Sequence, residues 1–341
     1  MNDKIKSQAT PLVQSIQRRK VITSVLGGAV ASALPGTLWA QSSSFPNKPI
    51  RVLLGFPAGG SIDGVFRVMA RAAGNYLGQP VVVENRPGAG GTISIVQMKN
   101  SAPDGYTLGL ITMGVFRAPV IDKVAYDPLK DITYIISLTH VPFGIVVLND
   151  APWKTWEELL AFGKANADKI NYGVAAGLGN SAHLLMEEVT GQEKTRWTPI
   201  PYKGSADTAQ ALLGGHVHFV VDGSGGFGPL VDSGRARLLA VASEQRSPRW
   251  PDVRTTKELG YQMTIDSPWG LGGPKDMDPQ AVKAIHDAFK KSLDDEDVKA
   301  TMLRNGQGIR YRSSEDFQQF AVRAAVDERA LLTKYGFDKK D

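Results

Sequence analysis

The sequence has no cysteine among its 341 residues. This absence excludes disulfide bonds, thiolate catalysis, zinc sites with sulfur ligands and anchoring through a lipid-modified cysteine. Repeats are missing too, because the 36 glycines follow no collagen-like or heptad period. With 42% hydrophobic residues over this length, the chain can bury a sizeable core without disulfides, and its length suggests about two domains.

The apolar stretch from Val21 to Leu34 is shorter than the roughly 20 residues that a membrane-spanning helix needs. Basic residues at 18–20 precede it, and Leu-Trp-Ala at 38–40 follows it. A charged start, a short apolar middle and a small final residue are typical of a secretory signal peptide. We therefore expect residues 1–40 to be cleaved on export, with the Sec and twin-arginine routes equally open.

Little net charge remains once this leader is removed. Residues 1–40 hold five Lys or Arg and one Asp, so the net charge of +5 falls to +1 in the mature chain. The basic balance is therefore mainly a property of the leader. Binding to nucleic acid or to an acidic membrane surface loses its main support.

The segment from Ile50 to Gly64, IRVLLGFPAGGSIDG, organises the rest of the chain. Its apolar, partly β-branched start predicts a buried strand that Pro57 ends, because proline cannot donate to a sheet ladder. Small residues at 58–60 predict a loop, and apolar spacings of three and four beyond it predict a helix. Ser61 is the expected N-cap, and Asp63 suits the helix dipole in the first turn.

Such a helix start presents unpaired backbone N–H groups. Because Gly59 and Gly60 have no side chains, an oxyanion can approach these groups closely. The loop is a candidate half of a carboxylate-binding cleft. An ordinary turn between strand and helix is the alternative.

A second glycine loop, GLGNSA at 177–182, lies between a predicted strand and a predicted helix and matches G-x-G-x-x-A. A dinucleotide site of that kind needs an acidic residue about 20 positions later, at the end of the next strand. The sequence there is TPIPY at 198–202, which has none. We therefore interpret the loop as the partner of the first across a cleft, holding carboxylate oxygens directly or through waters.

Strands and helices alternate along the chain, which predicts a parallel sheet with helices on both faces. Two places break this order: residues 141–143, between β-rich runs, and residues 265–274, which include a predicted Gly-Gly-Pro turn at 272–274. We interpret them as crossings between two α/β lobes joined by a hinge, with a cleft between them. One lobe consists of residues 41–142 and 266–341, and the other of residues 143–265.

Motifs for a nucleophile or a metal are incomplete. A serine hydrolase needs G-x-S-x-G, and the sequences around Ser61 and Ser181 both lack the final glycine. His183 is two residues from Ser181 on a helix, so the two do not face each other. His216 and His218 have no third metal ligand nearby, which favours a solvated strand end. The acidic run at 294–297 lacks the calcium-loop spacing and predicts a helix start.

Other candidate contacts follow later strands. Asp222 ends the apolar strand at 219–221, where α/β proteins bind ligands, and it either accepts from a ligand or caps the next turn. Arg117, after the strand that ends at Thr112, either forks onto a carboxylate or lies at the surface. Phe56 and Trp269 either wall the cleft or belong to the core.

Several stretches occur together in a familiar order: FPNKPI at 45–50, FPAGGSID at 56–63, VVVENRPGAGG at 81–91, PDGYTL at 103–108, YDP at 126–128, PYKG at 201–204 and LLGG at 212–215. They resemble the Bug family of extracytoplasmic solute receptors, the substrate-binding components of tripartite tricarboxylate transporters. The resemblance covers about residues 45–337. It implies an α/β, two-lobed periplasmic binding protein fold of a type II-like kind, with two parallel or mixed sheets flanked by helices and a double-crossing hinge.

The resemblance also implies that both glycine loops hold a carboxylate, partly through ordered waters. Ala58 stands where a second proline is usual and Asn180 where threonine is usual, so the ligand contacts and the preferred ligand differ there. The predicted ligand-binding residues are Phe56, Pro57, Ala58, Gly59, Gly60, Ser61, Asp63, Thr112, Gly177, Gly179, Asn180, His183, Asp222 and Trp269.

We therefore expect a periplasmic receptor, not an enzyme, that captures a small carboxylate by hinge closure and delivers it to the membrane subunits of a transporter. The carboxylate is a di- or tricarboxylate, an amino acid or an aromatic acid. We expect no cofactor, metal or nucleic acid, and a monomeric receptor. An exported α/β serine hydrolase and a ligand sensor that feeds a signalling partner are the alternatives.

Overall fold

The computed structural model describes residues 45–247, 249–265 and 267–338. The predicted signal peptide, residues 1–40, lies outside the described residues. The strands are β1 Ile50–Leu54, β2 Val81–Asn85, β3 Thr107–Ile111, β4 Ile132–His140, β5 Phe143–Leu148, β6 Asn171–Ala175, β7 Thr198–Tyr202, β8 Phe219–Gly223, β9 Ala236–Val241, β10 Pro268–Pro274 and β11 Gly308–Arg312. The helices are α1 Ser61–Leu77, α2 Thr92–Lys99, α3 Gly114–Ile121, α4 Trp156–Ala165, α5 Ser181–Gln192, α6 Ser205–Leu213, α7 Ser224–Asp232, α8 Pro279–Ser292, α9 Glu296–Arg304 and α10 Ser314–Lys334.

The first sheet has six strands in the order β11-β4-β10-β3-β1-β2. Strands β3, β1 and β2 are parallel, whereas β10 runs antiparallel to both of its neighbours and β11 is antiparallel to β4. Val52 and Leu54 of β1 pack against α1 and α8, and Leu53 faces α2 and α3 on the other side. Because helices cover both faces, β1 is apolar except at Arg51 rather than alternating.

The second sheet has five strands in the order β7-β6-β8-β5-β9, all from residues 143–241. Strands β6, β7 and β8 are parallel, and β5 is antiparallel to β8 and β9. Ile145 packs with Trp156 of α4 on one face, and Val146 packs with Leu212 of α6 on the other. Two mixed sheets flanked by helices confirm the predicted fold class.

The chain passes between the sheets at two adjacent places. Strand β4 ends at His140 beside the start of β10, and β5 begins at Phe143 opposite Gly223, the last residue of β8. The Val141 N–H donates to the Ser267 carbonyl at 3.1 Å, so the two connections lie side by side. The carboxyl edges of the parallel strands in both sheets therefore face this junction, where α/β proteins bind ligands.

We call the first sheet with α1–α3 and α8–α10 the first lobe, and the second sheet with α4–α7 the second lobe. A small apolar cluster, Val120 of α3, Leu332 of α10 and Leu184 of α5, packs between the two lobes. We call this arrangement, in which the two lobes are in contact, the closed form.

The prediction of a turn at 272–274 is wrong, because these residues end β10, an interior strand of the first sheet. A Cβ on Gly270 would lie 2.5 Å from the Phe317 ring, and one on Gly272 2.9 Å from Ile132. Close packing by neighbouring side chains thus requires small residues in a central strand. Helices α3 and α7 and strand β11 were also not predicted.

Side chains cap the starts of α4 and α9, and the second of these confirms the helix start predicted from the acidic run at 294–297. The Thr155 hydroxyl accepts from the Glu158 N–H at the start of α4, at 3.2 Å. Asp295, within the acidic run, caps α9 by accepting from the N–H groups of Asp297 and Val298. Among the described residues, no helix combines the length and the apolar character that crossing a membrane requires.

Candidate functional site

Several helices that begin at the junction have no side-chain cap. Helices α1, α3, α6 and α7 follow β1, β3, β7 and β8 directly, and their uncapped N-cap residues are Gly60, Met113, Gly204 and Gly223. Helices α4, α8, α9 and α10 are capped by the side chains of Thr155, Asp278, Asp295 and Ser313. An uncapped start keeps its positive dipole end available to an anion, together with the first-turn N–H groups that no backbone carbonyl accepts. At α7 the Ser224 N–H already donates to the Pro142 carbonyl, and at α3 the Val115 and Phe116 N–H groups donate to the Thr112 and Met113 carbonyls.

The first loop (residues 55–60) and the second loop (residues 176–180) share one backbone geometry. Gly59 and Gly179 are left-handed, with φ of 82° and 77°, which favours glycine. The next residue is the N-cap in both loops, with φ of −78°. In each loop the glycine N–H donates to the side chain four residues later, Asp63 Oδ2 at 3.0 Å and His183 Nδ1 at 2.9 Å. Each lobe therefore carries a copy of the same local structure.

These hydrogen bonds change the predicted roles of the glycines. In this structure the N–H groups of Gly59 and Gly179 donate within their own loops and hold the loop shape. The N-cap of α1 is Gly60 rather than the predicted Ser61, which is the first helical residue. The remaining N–H groups of the first turn, from Ser61 onward, are the candidate anion donors.

Asp63 anchors the first loop. Its carboxylate accepts from Gly59 N–H, from Arg67 Nε at 2.9 Å and from Asn85 Nδ2 at 2.9 Å. Burial alone would raise the pKa of Asp63, but the hydrogen bonds from Arg67, Gly59 and Asn85 outweigh it and hold the pKa below its ordinary value of 3.8. The predicted ligand contact at Asp63 thus belongs to a side chain already engaged by three donors.

We expect the substitution Asp63→Asn to lower the free energy of unfolding by about 1–3 kcal/mol near neutral pH, because three donor groups lose a buried, charged acceptor. A depressed folded-state pKa contributes stability above the unfolded-state pKa and loses it as the pH falls through the folded-state pKa. The difference between wild type and variant should therefore shrink in acid. Urea denaturation of both proteins at neutral and acidic pH measures it, and a constant difference would contradict this role of Asp63.

The second loop uses its polar side chains in the same way. The Asn180 carbonyl oxygen accepts from His183 N–H at 3.0 Å, and its amide donates to the Gly177 and Ala175 carbonyls. His183 is 2% exposed, and its Nε2 lies 3.3 Å from Glu187 Oε1. In the closed form, the side chains of Asn180 and His183 therefore support the loop from within.

Asp222 lies buried at the end of β8. It accepts from Ser205 Oγ at 2.9 Å, from Thr208 Oγ1 at 2.6 Å and from the Gly223 N–H at 2.7 Å. Burial raises the pKa of Asp222, against the opposing effect of these hydrogen bonds. These bonds tie β8 to the start of α6 and are not the cap of the next turn that the sequence left open, since no side chain caps α7.

The two aromatic candidates, Phe56 and Trp269, lie in different surroundings. Trp269 is 4% exposed and packs with Phe66 in the core of the first lobe, so it belongs to the core rather than to a cleft wall. Phe56 and Thr112 are half-buried and line a cavity of about 10 Å³ behind the first loop, the size of about one water. Pro57 and Ala58 at the tip of that loop are exposed.

The lobes touch where the helix starts meet. A Cβ added to Gly225, in the first turn of α7, would lie 2.5 Å from Ser61 Oγ at the start of α1. Beside this contact, Ser224 Oγ donates to the Asn305 carbonyl of the first lobe. The sequence analysis did not predict α7. Gly225 and Gly226 nevertheless come soon after the end of β8, as Gly59 and Gly60 come soon after the end of β1.

The second loop is held against the first lobe by α3. Arg117 Nη1 donates to Ser181 Oγ at 2.6 Å, and Ile121 packs on Gly179. Of the two roles open from the sequence, Arg117 does fork onto a carboxylate, but that carboxylate is the side chain of Glu328 and not a ligand, and Arg117 is buried rather than at the surface.

The local geometry does not favour the alternative chemistries. Ser181 Oγ accepts from Arg117, and both nitrogens of His183 face other groups, so the two do not form a nucleophile and base pair. His218 Nδ1 lies 2.6 Å from Asn171 Oδ1 at a strand end. Within the described ranges, no three His, Asp or Glu side chains come together as a metal site.

Comparison with known proteins gives consistent matches. The family model described as "Tripartite tricarboxylate transporter family receptor" matches residues 65–337. The chain is 43% identical over 328 residues to the "UPF0065 protein in gbd 5'region" of Cupriavidus necator, which covers 95% of this chain and 99% of that relative.

Solved structures agree with this match. The periplasmic binding protein BugD is 31% identical, with a TM-score of 0.79, over 87% of this chain and 100% of BugD. MatC from Rhodopseudomonas palustris, solved with bound malate, is 27% identical with a TM-score of 0.76, over 84% of this chain and 100% of MatC. An R. palustris protein solved with adipate is 25% identical with a TM-score of 0.79, over 86% of this chain and 98% of that protein.

Proposed function

Because this chain belongs to the tripartite tricarboxylate transporter receptor family, whose members are solute-binding receptors and not enzymes, we propose that it binds a small carboxylate between its two lobes. This family assignment confirms the resemblance to Bug receptors drawn from the sequence. The family's receptors are periplasmic, which supports export of this chain.

One observation carries the proposal: the uncapped starts of α1 and α7 meet across the junction, at Ser61 and Gly225. Two positive helix ends that approach each other together attract a negative charge to the junction. A carboxylate supplies that charge and accepts the N–H groups that neither helix pairs with a side chain. The malate and adipate in two similar structures are ligands of this chemistry.

The proposed cycle is closure of residues 41–142 and 266–341 on residues 143–265, followed by delivery of the ligand to transporter subunits in the membrane. The contacts between the lobes include the helix starts at Ser61 and Gly225, the ion pair of Lys334 with Glu188, and the hydrogen bonds from Arg249 to the Leu303 and Arg304 carbonyls. We propose that these contacts separate when the hinge opens. We propose that the receptor acts as a monomer, exported by the Sec or twin-arginine route, and without a cofactor.

We expect at least one carboxylate from a panel of mono-, di-, tricarboxylic, amino and aromatic acids to bind with one site per chain. Titration calorimetry measures the binding, with malate and adipate as the first ligands and the corresponding uncharged diamide as the control. At 100 times its dissociation constant, a ligand adds about 2.7 kcal/mol to the free energy of unfolding, so thermal denaturation provides a second measurement. Equal binding of acid and diamide, or no binding by any acid, would contradict the proposal.

A further inference from the structure

Arg117 is the centre of a buried polar cluster that spans both lobes. Its Nη2 donates to Glu328 Oε1 of α10 at 2.8 Å, and its Nε pairs with Glu328 Oε2. Its Nη1 donates to Ser181 Oγ, in the first turn of α5, at 2.6 Å. Arg117 and Glu328 belong to the first lobe, and Ser181 belongs to the second.

Burial makes these hydrogen bonds important. Arg117 and Glu328 are each 7% exposed and Ser181 is 4% exposed. A guanidinium taken out of water needs partners for its donors, because hydrogen bonds to charged groups are strong and an unmet donor is costly. Glu328 accepts from two of the guanidinium nitrogens, and the serine hydroxyl accepts from the third.

The same helix also makes apolar contacts with the start of α5. A Cβ on Gly179 would lie 2.9 Å from Ile121 Cδ1, so the side chain of Ile121 covers the bare glycine of the second loop. Val120 packs against Leu184 one turn into α5. Helix α3 therefore holds the second loop and the start of α5 through one polar contact, at Arg117, and two apolar contacts, at Ile121 and Val120.

We propose that Arg117 is a positioning residue for ligand binding. The class of ligand rests on the proposed function, whereas the effect of Arg117 on the lobe motion does not. Glu328 fixes the guanidinium within the first lobe. The guanidinium then holds Ser181, which directly follows Asn180, the N-cap of α5. When the lobes separate, Arg117 keeps Glu328 and exchanges Ser181 for water. The hydrogen bond to Ser181 thus favours the closed form before a ligand arrives.

The test measures the distance between the lobes without ligand. The substitutions Ala161→Cys in α4 and Ala300→Cys in α9 introduce two exposed cysteines for nitroxide labels. Because the chain has no cysteine of its own, the labels attach at these two positions alone. Double electron–electron resonance then compares wild type with Ser181→Ala. We expect the ratio of closed to open populations to fall by about tenfold or more, as the loss of a hydrogen bond to a charged group predicts.

Two controls separate this role from a structural one. Ser292→Ala removes another buried hydroxyl, bonded to the Phe289 carbonyl within α8, and should leave the distance distribution unchanged. In an Arg117→Met, Glu328→Leu background, Ser181→Ala should have no further effect, because its partner is already gone. An equal effect of Ser181→Ala in both backgrounds, or none in either, would overturn the proposal.

A second readout uses ligand. With adipate or malate as the probe, whichever binds, Ser181→Ala should raise the dissociation rate constant more than it lowers the association rate constant, because a closed complex opens more readily. Failure of every carboxylate to bind would reject the proposed function while leaving the ligand-free distances to decide the role of Arg117. Unchanged rate constants for a ligand that does bind would reject the role of Arg117 alone.

Discussion

Replacing Glu328 with leucine should lower the free energy of unfolding by about 3–5 kcal/mol, because the change leaves a buried, charged guanidinium without its partner. In the native chain, Glu328 accepts from Nε and Nη2 of Arg117, and both side chains are 7% exposed. Urea denaturation monitored by tryptophan fluorescence measures the change.

The double substitution Arg117→Met, Glu328→Leu should recover most of this loss, because an apolar pair of similar volume needs no charged partner. A matched surface pair, Lys299 and Glu296 at 3.0 Å, tests the effect of burial. Since both are exposed, Lys299→Ala should leave the unfolding free energy almost unchanged. Similar losses for Glu328→Leu and Lys299→Ala would contradict the argument from burial.

Replacing Gly225 with alanine should lower carboxylate affinity about 10- to 100-fold while leaving the fold stable, because overpacking an interface by one methyl costs about 1–3 kcal/mol. Gly225 lies in a helix, where alanine is favoured over glycine. The added Cβ meets Ser61, which belongs to the other lobe, so the collision arises only in the closed form. Calorimetry gives the affinity, and thermal denaturation without ligand gives the stability.

Three matched variants define this effect. Gly64→Ala fills open space on α1 and should bind normally, with a gain of about 0.5–1 kcal/mol in stability. Gly226→Ala meets Ser205 and Asp222 within its own lobe, so it should lower stability rather than affinity alone. Ser61→Gly combined with Gly225→Ala removes the colliding side chain and should recover part of the affinity. Normal binding by Gly225→Ala would show that the helix starts do not approach as described.

The fold was predictable where local patterns decide it. The unit from Ile50 through α1 has an apolar run, a proline stop, glycines and a helical period, and the structure contains it with shifts of one or two residues. Strand β10 was not predictable from local patterns. Its glycines and prolines are typical of a turn, and only neighbours far along the chain, such as Phe317 and Ile132, explain a strand there.

The places of the two glycine loops in the fold were predictable, but their hydrogen bonds were not. Both glycine loops lie at carboxyl edges of parallel strands, as their sequences indicate. The direction of each N–H depends on hydrogen bonds that a motif does not encode, such as Gly59 to Asp63 and Gly179 to His183. Contacts between lobes are further from reach, since 64 residues separate Arg117 from Ser181.

The most direct test of the account is a crystal structure of the chain grown with the carboxylate that binds best in calorimetry. The account predicts a carboxylate oxygen about 2.7–3.2 Å from a first-turn N–H of α1, with the same ligand also contacting the second lobe. A carboxylate bound away from the junction, or held by one lobe alone with the helix starts apart, would contradict it.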